Sequence, residues 1–126
     1  MTNEMLIEKA QKAMENAYVP YSNFKVGAAL LMADGSVYTG CNIENSSFGA
    51  TICAERTAMF KAVSEGRKDM VKIAIVSSSG DKTYPCGICR QVMAEFMPEG
   101  SIVLKDKNGK ITEESVRDIL PNAFGL

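Results

Sequence analysis

Hydrophobic positions near the start of the chain recur at helical spacing, from about Asn3 until Pro20 stops the pattern. Residues three or four positions apart share one face of a helix, so the pattern predicts an amphipathic first helix. We expect this helix to serve packing only. Its apolar face comprises Met5, Leu6, Ala10, Ala13, Met14 and Ala17.

A β-hairpin is the next predicted element. Residues 24–32 are apolar and predict a strand, and the Asp34-Gly35 pair is a strong hairpin turn. Residues 36–43 predict the returning strand. The segment 42–50 is polar and contains Gly and Ser, which indicates a loop.

The rest of the chain predicts helices and strands in alternation. Thr51 has the side chain of an N-cap, so a second helix is expected to begin there. Residues 71–76 are almost all β-branched or apolar, as expected of a strand covered on both faces. In chain order the elements are the helix that ends at about Glu65 before Gly66, the strand at 71–76, a loop at 77–85, a helix from about Cys86 to Pro98, a strand at 101–104, an Asn108-Gly109 turn into a short fifth strand, and a helical turn or two at 113–120.

The connections between these elements predict an α/β fold with three layers, α/β/α, around a mixed five-stranded sheet of order 2-1-3-4-5. Right-handed crossovers make strands two, three and four parallel, with strand one antiparallel beside strand two. Helices two and three then begin just past the carboxyl ends of strands, where open α/β sheets form a ligand crevice, and Phe24 can reach the same edge. No repeat or linker interrupts the order, so residues 1–126 are expected to form a single domain.

Composition narrows the chemistry that this chain can perform. Its 126 residues carry a formal net charge of −1, with four cysteines and no histidine. Such a length supports a core that buries about two-thirds of the unfolded surface without disulfides. The absence of histidine excludes serine triads, Cys-His nucleophiles and His-containing metal sites within the chain. Neutral-pH chemistry must therefore use carboxylates, thiolates or a metal that they hold.

Charge and hydropathy predict the environment and the partners. The near-neutral chain has no basic stripe of the kind that binds long nucleic acid, which favours a small partner. Residues 1–10 carry Glu4, Glu8 and Lys9 and lack the regions of a signal peptide. No apolar run approaches the roughly 20 residues of a membrane span. We expect a cytoplasmic protein without nucleic-acid or membrane partners, whose closely spaced cysteines indicate metal or redox chemistry.

Three of the four cysteines have the spacing of a metal site. Cys53 falls in the first turn of the second predicted helix, and Cys86 and Cys89 fall in the first turn of the third. Positions i and i+3 are neighbours on a helix, so Cys86 and Cys89 point the same way, and Cys53 adds a third thiolate. Zinc accepts this arrangement with its fourth position open, which is typical of catalytic sites.

Three thiolates over-neutralise a dication, so positive groups are expected beside them. Two helix N-termini each favour negative charge by about 0.3–1 kcal/mol. Arg56 and Arg90 are each close in sequence to a cysteine and can donate hydrogen bonds to sulfur. We predict that these four elements neutralise the additional charge of the zinc site.

Glu55 is the predicted catalytic residue. At about 100° per residue it does not share the helix face of Cys53, but its carboxylate can reach a water molecule beside the metal and transfer protons to a substrate. An isolated glutamate in a first helical turn is more often a surface residue favoured by the helix dipole. The segments CAE at 53–55 and PCGIC at 85–89 favour the catalytic interpretation.

These two segments resemble the signature of the zinc-dependent deaminases. Further segments extend the resemblance to the small tetrameric cytidine deaminases over nearly the whole chain. They are VPYS at 19–22, FKVGAA at 24–29, GCNIEN at 40–45, CAER at 53–56, CGICRQ at 86–91 and, near the C-terminus, Leu120-Pro121 and Phe124. The family often has a tyrosine in place of Phe48 and a serine in place of Tyr84.

The resemblance implies a cytidine deaminase-like fold, one Zn²⁺ per chain and a homotetramer with sites shared between subunits. It implies hydrolytic deamination of cytidine and deoxycytidine to uridine and deoxyuridine, with release of ammonia, as in pyrimidine salvage. Cys53, Cys86 and Cys89 would bind zinc and Glu55 would transfer protons. The implied substrate-binding residues are Phe24 on the pyrimidine ring, Asn42 and Glu44 at the ribose, Ala54, and Phe48 and Phe124, which would reach a neighbouring subunit's site.

Other interpretations remain open at the level of the sequence. A deaminase of another small aminopyrimidine nucleoside, such as blasticidin S, would share the zinc motif but generally lacks the NIEN segment at 42–45. A non-catalytic structural-zinc module would need Cys41 as a fourth ligand, although this strand residue without a CxxC partner is more typical of a small buried hydrophobe. A thiol-redox module would explain Cys86 and Cys89 but neither Glu55 nor the 42–45 segment.

Overall fold

Five strands form one mixed sheet in the order β2-β1-β3-β4-β5 in the computed structural model, which describes residues 1–126. Only β3 and β4 pair in parallel, and the other neighbours are antiparallel. Because β1 lies antiparallel between β2 and β3, strands β2, β3 and β4 run in the same direction, as predicted. The strands are β1 (Val26–Met32), β2 (Val37–Cys41), β3 (Met70–Ser77), β4 (Ser101–Lys105) and β5 (Ile111–Ser115).

Helices cover both faces of the sheet, which confirms the three layers. The helices are α1 (Asn3–Met14), α2 (Ala54–Ser64), α3 (Gly87–Phe96) and α4 (Val116–Ile119), with a 3-10 turn at Phe48–Ala50. One apolar core lies between α1 and the sheet, and a larger one lies under α2, α3 and α4. Alternate residues of β1 serve the two cores, since Ala28 and Leu30 face one and Ala29 and Leu31 the other. None of the helices has both the length and the apolar character that a membrane crossing requires.

Two glycines let the helices approach the sheet closely. A Cβ atom at Gly27 would lie 2.1 Å from the carbonyl oxygen of Ala10, so α1 rests directly on the backbone of β1. On the opposite face, a Cβ atom at Gly40 would lie 2.5 Å from the carbonyl oxygen of Ala54 and 2.6 Å from the amide nitrogen of Ala58. The first turn of α2 is therefore held against the end of β2.

The two helices that carry the cysteines begin slightly later than expected. The predicted N-cap of α2 was Thr51, but Cys53 occupies that position, and the hydroxyl of Thr51 accepts a hydrogen bond from the Asn45 amide at 3.3 Å. Cys86 is likewise the N-cap of α3 rather than a member of its first turn. Neither cysteine side chain caps its helix, so both sulfurs are free for another role.

Tertiary pairing explains the other differences from the predicted boundaries. Helix α1 ends at Met14, because Tyr18 leaves the helical path to form a parallel bridge with Ile43. The 113–115 segment, predicted as helical, extends β5 instead through its pairing with β4, and the last helix is the short α4. The Asp34-Gly35 and Asn108-Gly109 turns are confirmed, with positive φ at both glycines.

Candidate active site

The carboxyl ends of β2 and β3 meet the beginning of β1 at one edge of the sheet. Gly27 pairs with Cys41 of β2, and Val26 pairs with Ser77 of β3. The segments that follow β2 and β3, at 42–53 and 78–86, therefore converge on the residues that precede β1. These segments deliver the N-termini of α2 and α3 to the same place, as the predicted topology required.

Three cysteine sulfurs come together where these helices begin. The Sγ atoms of Cys53, Cys86 and Cys89 all lie within 4.8 Å of one another, and those of Cys53 and Cys86 are 3.7 Å apart. Zinc–sulfur bonds of about 2.3 Å in a tetrahedron separate two ligand sulfurs by about 3.8 Å, so the donor set fits one Zn²⁺. Cys41, at the end of β2, is not part of this cluster.

The cluster is open on one side. Cys89 is buried beneath α3 and Cys53 is half-buried, whereas Cys86 is exposed. A metal held by these three thiolates would have protein on its buried side and space for a water molecule or a substrate on the other. This asymmetry is typical of catalytic zinc sites, because structural sites enclose the metal with four protein ligands.

Arg56 supplies positive charge to the sulfurs, and this contact matches the prediction from its sequence position. Its Nη2 donates to Cys53 Sγ at 3.3 Å. The Cys89 thiol beside the Cys53 sulfur, and the Arg56 guanidinium that donates to that sulfur, lower the pKa of Cys53 below its usual value. The thiolate form that a metal ligand requires is therefore favoured at Cys53, whereas contact with the Cys53 sulfur and burial raise the pKa of the Cys89 thiol.

Arg90 does not make the predicted hydrogen bond to sulfur. Its Nε donates to the carbonyl oxygen of Pro85 at 2.7 Å, and its Nη1 donates to the carbonyl oxygen of Ile119 at 2.8 Å. The physical reason is that these two carbonyls match the fork of the guanidinium, and the carbonyl of Ile119 at the end of α4 lacks an intrahelical partner. Arg90 thus connects the segment before Cys86 to the C-terminal helix.

Glu55 lies in the first turn of α2 and is only 4% exposed. Burial raises the pKa of Glu55 to about 7, and the negative charge of Cys53 acts in the same direction. A carboxylic acid that titrates near neutrality can both accept and donate a proton under physiological conditions. The carboxyl group is therefore suited to general acid-base chemistry, in contrast to the surface glutamate that an isolated first-turn position would predict.

Asn42 and Glu44 flank a residue that holds their segment beside the cluster. The backbone N–H and C=O of Ile43 exchange hydrogen bonds with those of Ile52, each at 3.0 Å, immediately before Cys53. Alternation along the chain places the side chains of Asn42 and Glu44 on the face opposite that of Ile43. The 42–44 segment is therefore tied to the start of α2.

The side chain of Asn42 also organises the entry into β1. Its Oδ1 accepts from the amide of Val26 at 2.9 Å, and its Nδ2 donates to the carbonyl of Phe24 at 2.8 Å. These two hydrogen bonds explain why β1 begins at Val26, whereas the apolar pattern predicted a strand that begins at Phe24. Phe24 precedes the strand with 41% of its surface exposed, and its ring is available to a flat ligand.

Glu44 receives hydrogen bonds from the VPYS segment. Its Oε1 accepts from the amides of Tyr21 and Ser22 at 2.9 and 3.2 Å, and its Oε2 accepts from the Ser22 hydroxyl. These bonds, the hydroxyl contact above all, lower the pKa of Glu44. A cavity of about 390 Å³ adjoins the carboxylate and is lined by Tyr21, Ser22, Glu44, Phe48 and Thr51.

The other predicted substrate-binding residues differ in their exposure to solvent. Ala54, the first residue of α2, is fully buried, so the described chain does not expose it to a substrate. Phe48 is 75% exposed and packs edge-on against Tyr21, with ring centroids 5.7 Å apart. Phe124 is 72% exposed near the C-terminus. Within one chain, both phenylalanines face solvent.

Thr57 is a positioning residue that sequence reasoning did not single out. Its hydroxyl lies 3.1 Å from the carbonyl oxygens of both Cys41 and Cys53, so it connects the end of β2 to the N-cap of α2. The sequence signal for the second contact is the spacing of four residues, at which a threonine hydroxyl can reach the carbonyl of the preceding turn. The first contact depends on tertiary packing and has no local signal.

An open thiolate cluster beside a buried carboxyl group, on an α/β/α fold, is an arrangement that fits a metal-dependent hydrolase. Residues 1–105 match the family model described as the cytidine and deoxycytidylate deaminase zinc-binding region. The chain is 57% identical over 125 residues to the cytidine deaminase of Halalkalibacterium halodurans. The match covers 98% of this chain and 95% of that protein. The chain belongs to the cytidine and deoxycytidylate deaminase family.

Two further proteins are similar to this chain over most of its length. The crystal structure of cytidine deaminase from Burkholderia pseudomallei has a TM-score of 0.92 at 49% identity, and the match covers 98% of this chain and 100% of that one. The Blasticidin-S deaminase of Bacillus cereus is 31% identical over 125 residues, covering 91% of this chain and 89% of that protein. The predicted cytidine deaminase-like fold is confirmed.

Proposed function

We propose that this protein is a zinc-dependent enzyme that deaminates cytidine and deoxycytidine by hydrolysis. Family membership supports the reaction class, and full-length identity of up to 57% to a cytidine deaminase supports the substrate. The observation that carries the proposal is the buried Glu55 carboxyl group in the helix turn that follows Cys53, beside a thiolate cluster that is open on one side.

The metal ligands are Cys53, Cys86 and Cys89. When bound, Zn²⁺ acts as a Lewis acid that lowers the pKa of a water molecule in its open position. The charge of the three thiolates opposes this effect, and the Arg56 guanidinium on Cys53, together with two helix N-termini, offsets part of that charge. Arg56 is therefore proposed to neutralise the zinc site, whereas the contacts of Arg90 assign it another task.

Glu55 moves the protons of the reaction. Its carboxylate takes a proton from the attacking water and delivers it to N3 of the pyrimidine as the C–O bond forms at C4. It then carries the second water proton to the exocyclic amino group, and the C4–N bond breaks with release of ammonia. One water is consumed, a carbonyl replaces the amine, and Glu55 returns to its initial state. The burial of Glu55, which raises the pKa of its carboxyl group, suits it to hold and release a proton in both transfers.

Phe24, Asn42 and Glu44 are proposed to bind the nucleoside. The exposed ring of Phe24 offers a flat apolar surface to the pyrimidine. Asn42 and Glu44 keep unused hydrogen-bonding capacity beyond the contacts described above, and an amide with a carboxylate can both donate to and accept from sugar hydroxyls. Because Glu44 has a lowered pKa, it remains an ionised acceptor in mildly acidic solution.

We further propose a homotetramer in the cytoplasm, with a role in pyrimidine salvage. The exposed aromatic rings of Phe48 and Phe124 support subunit contacts, because such rings are more often buried in assemblies. A compartment that keeps thiols reduced suits three cysteines that must bind metal. The chain is proposed to act as a single domain over residues 1–126.

Two alternatives are less well supported. Deamination of blasticidin S is weakened by the lower identity to that enzyme and by the presence of Asn42 and Glu44 in the ribose positions. A non-catalytic zinc module would require Cys41 as a fourth ligand, and Cys41 lies outside the cluster. The Cys41→Ser variant is expected to keep one zinc per chain, whereas Cys89→Ser is expected to lose it, as metal analysis would show.

A direct assay tests the proposal. The purified protein, with its zinc content measured, is incubated with cytidine, deoxycytidine or blasticidin S, and loss of the aminopyrimidine absorbance is followed. We expect turnover of the first two at rates far above that of the third. A protein that holds one zinc per chain and turns over neither cytidine nor deoxycytidine would contradict the proposal.

A further inference from the structure

We infer that Arg90 is a positioning residue for the zinc ligand Cys86, and that it makes the C-terminal helix part of the metal site. The inference rests on the zinc site of the proposed function. It assigns Arg90 a geometric task in place of the electrostatic one that its sequence position suggested. The juxtaposition that carries it is a single guanidinium donating to two backbone carbonyls from different parts of the chain.

The first carbonyl belongs to the peptide unit that enters Cys86. The carbonyl group of Pro85 lies in one plane with the N–H and the Cα atom of Cys86, because the peptide bond is planar. The 2.7 Å bond from Arg90 Nε to this oxygen fixes the rotation of that plane about its flanking bonds. Since this rotation sets the direction of the Cα–Cβ bond of Cys86, the guanidinium orients the thiolate.

Cys86 depends on such a contact more than the other two ligands. It is exposed and is the last residue of the 78–86 loop, whereas Cys89 is buried within α3. Cys53 is held from two sides, through Thr57 to its carbonyl and Arg56 to its sulfur. The structure records no hydrogen bond from a positively charged side chain to the Cys86 sulfur.

The second carbonyl gives the guanidinium a fixed reference point. Ile119 ends α4, is 9% exposed, and packs into the core beneath α3. Its oxygen receives the Nη1 hydrogen of Arg90 at 2.8 Å. The neighbouring Gln91 makes a further contact, from Nε2 to the Phe124 carbonyl at 3.2 Å. The C-terminal segment thus supports the start of α3 at successive points.

Shape and charge can be separated at this position. Lysine keeps the positive charge but presents it as a point at the end of a flexible stem, without the planar fork that reaches two carbonyls in fixed directions. Methionine keeps an unbranched stem and removes the charge. If Arg90 acts by geometry, Arg90→Lys and Arg90→Met will have similar defects. If it acts by neutralising the thiolates, only the methionine variant will be impaired.

The test measures zinc affinity by competition with a chromophoric chelator, alongside the visible spectrum of the Co²⁺-substituted protein. We expect both Arg90 variants to bind zinc about 10- to 100-fold more weakly, the range typical of residues that orient metal ligands. We also expect altered Co²⁺ bands, because a displaced Cys86 changes the coordination geometry. Arg117→Met is the control, since Arg117 is an exposed arginine on α4 that pairs with Glu99.

The unfolding temperature of each metal-free variant separates this role from general destabilisation. Wild-type zinc affinity and Co²⁺ bands in Arg90→Lys, with loss in Arg90→Met, would overturn the inference in favour of charge. Unchanged zinc binding in both variants would also overturn it. If Arg90→Met does not fold, Arg90→Lys alone decides between the two roles. A positioning role predicts weaker zinc binding in Arg90→Lys, whereas charge neutralisation predicts unchanged zinc affinity. Cytidine turnover by the wild type tests the proposed function separately.

Discussion

Asn42 donates a 2.8 Å hydrogen bond from its side-chain amide to the backbone carbonyl of Phe24. The proposed ribose-binding residue therefore holds the backbone of the proposed pyrimidine-packing residue. Its Oδ1 accepts from Val26 two residues later, so both polar atoms of one amide define where β1 begins. A substitution at Asn42 should affect recognition of the sugar and of the base together.

The first prediction concerns Asn42→Ala and Asn42→Asp. Each lost hydrogen bond is worth about 0.5–1.5 kcal/mol, so we expect KM for cytidine to rise about tenfold or more in the alanine variant. The aspartate variant should be worse, because a carboxylate oxygen would face the carbonyl of Phe24. Steady-state kinetics measure the effect. Asn16→Ala, on an exposed turn, serves as control, and equal KM values in Asn42→Ala and the control would refute the coupling.

A second prediction concerns Glu55→Gln. Glutamine preserves the shape of the buried side chain but cannot exchange protons, so kcat should fall by about 10²–10⁴ or more while one zinc per chain is retained. Kinetics and metal analysis of the same preparation test this. The exposed Glu95 on α3 provides a matched control in Glu95→Gln, which should keep wild-type turnover. A Glu55→Gln protein of normal activity would exclude the proposed proton transfer.

A third prediction follows from the contact of Gly40 with α2. The added methyl group of Gly40→Ala would meet backbone atoms of Ala54 and Ala58 at 2.5 and 2.6 Å, so the start of α2 must move. We expect a loss of about 1–3 kcal/mol in unfolding free energy and weaker zinc binding, because Cys53 is the residue directly before this helix. Denaturant unfolding and chelator competition test both effects. Gly49→Ala, where a methyl group meets nothing within 4 Å, should match the wild type.

A fourth prediction concerns acid stability and Glu113 of β5. Its Oε2 accepts from the Ser101 hydroxyl at 2.6 Å and its Oε1 from the Asn3 amide at 3.0 Å, and Lys72 lies 3.5 Å away. These partners, Ser101 first, lower the pKa of Glu113 from the ordinary value of 4.5. The carboxylate therefore stabilises the fold above about pH 4.5, and this contribution is lost as the pH falls through the lowered pKa.

The Glu113→Gln variant should consequently be less stable than the wild type at neutral pH, and the difference should vanish in acid. We expect less than about 1 kcal/mol, since the carboxylate is partly exposed to solvent. Urea unfolding at several pH values measures it. Glu8→Gln on the exposed face of α1 is the control, and a difference that grows in acid would have the wrong sign.

The sequence was sufficient for the order of elements and for the cysteine cluster, because both depend on local spacing. Hydrophobic period, glycine turns and crossover handedness act over a few residues at a time, and Cys86 and Cys89 occupy neighbouring positions of one helix turn. The predicted element boundaries are wrong where a residue distant in the sequence forms a hydrogen bond with a backbone group. Thr51 lost its capping position when Ile52 paired with Ile43, and the strand start moved when Asn42 bonded Phe24.

The contacts of Arg90 show the same limit at the candidate site. Its nearness to Cys89 in the sequence suggested a bond to sulfur, but one of its partners is the carbonyl of Ile119, 29 positions further along the chain. No pattern of residue types identifies a backbone carbonyl at that separation. Thr57 was missed for the same reason, since its contact with Cys41 joins a helix to a strand.

Cys53 and Cys86 are 33 positions apart in the chain and 3.7 Å apart at their sulfurs. The chain between them includes β3, which pairs with β1 on one side and β4 on the other, so the sheet itself holds the two ends of this loop together. In a zinc finger, by contrast, the ion supplies the folding energy. We expect this protein to keep its sheet without metal, with the ligands held ready by the fold.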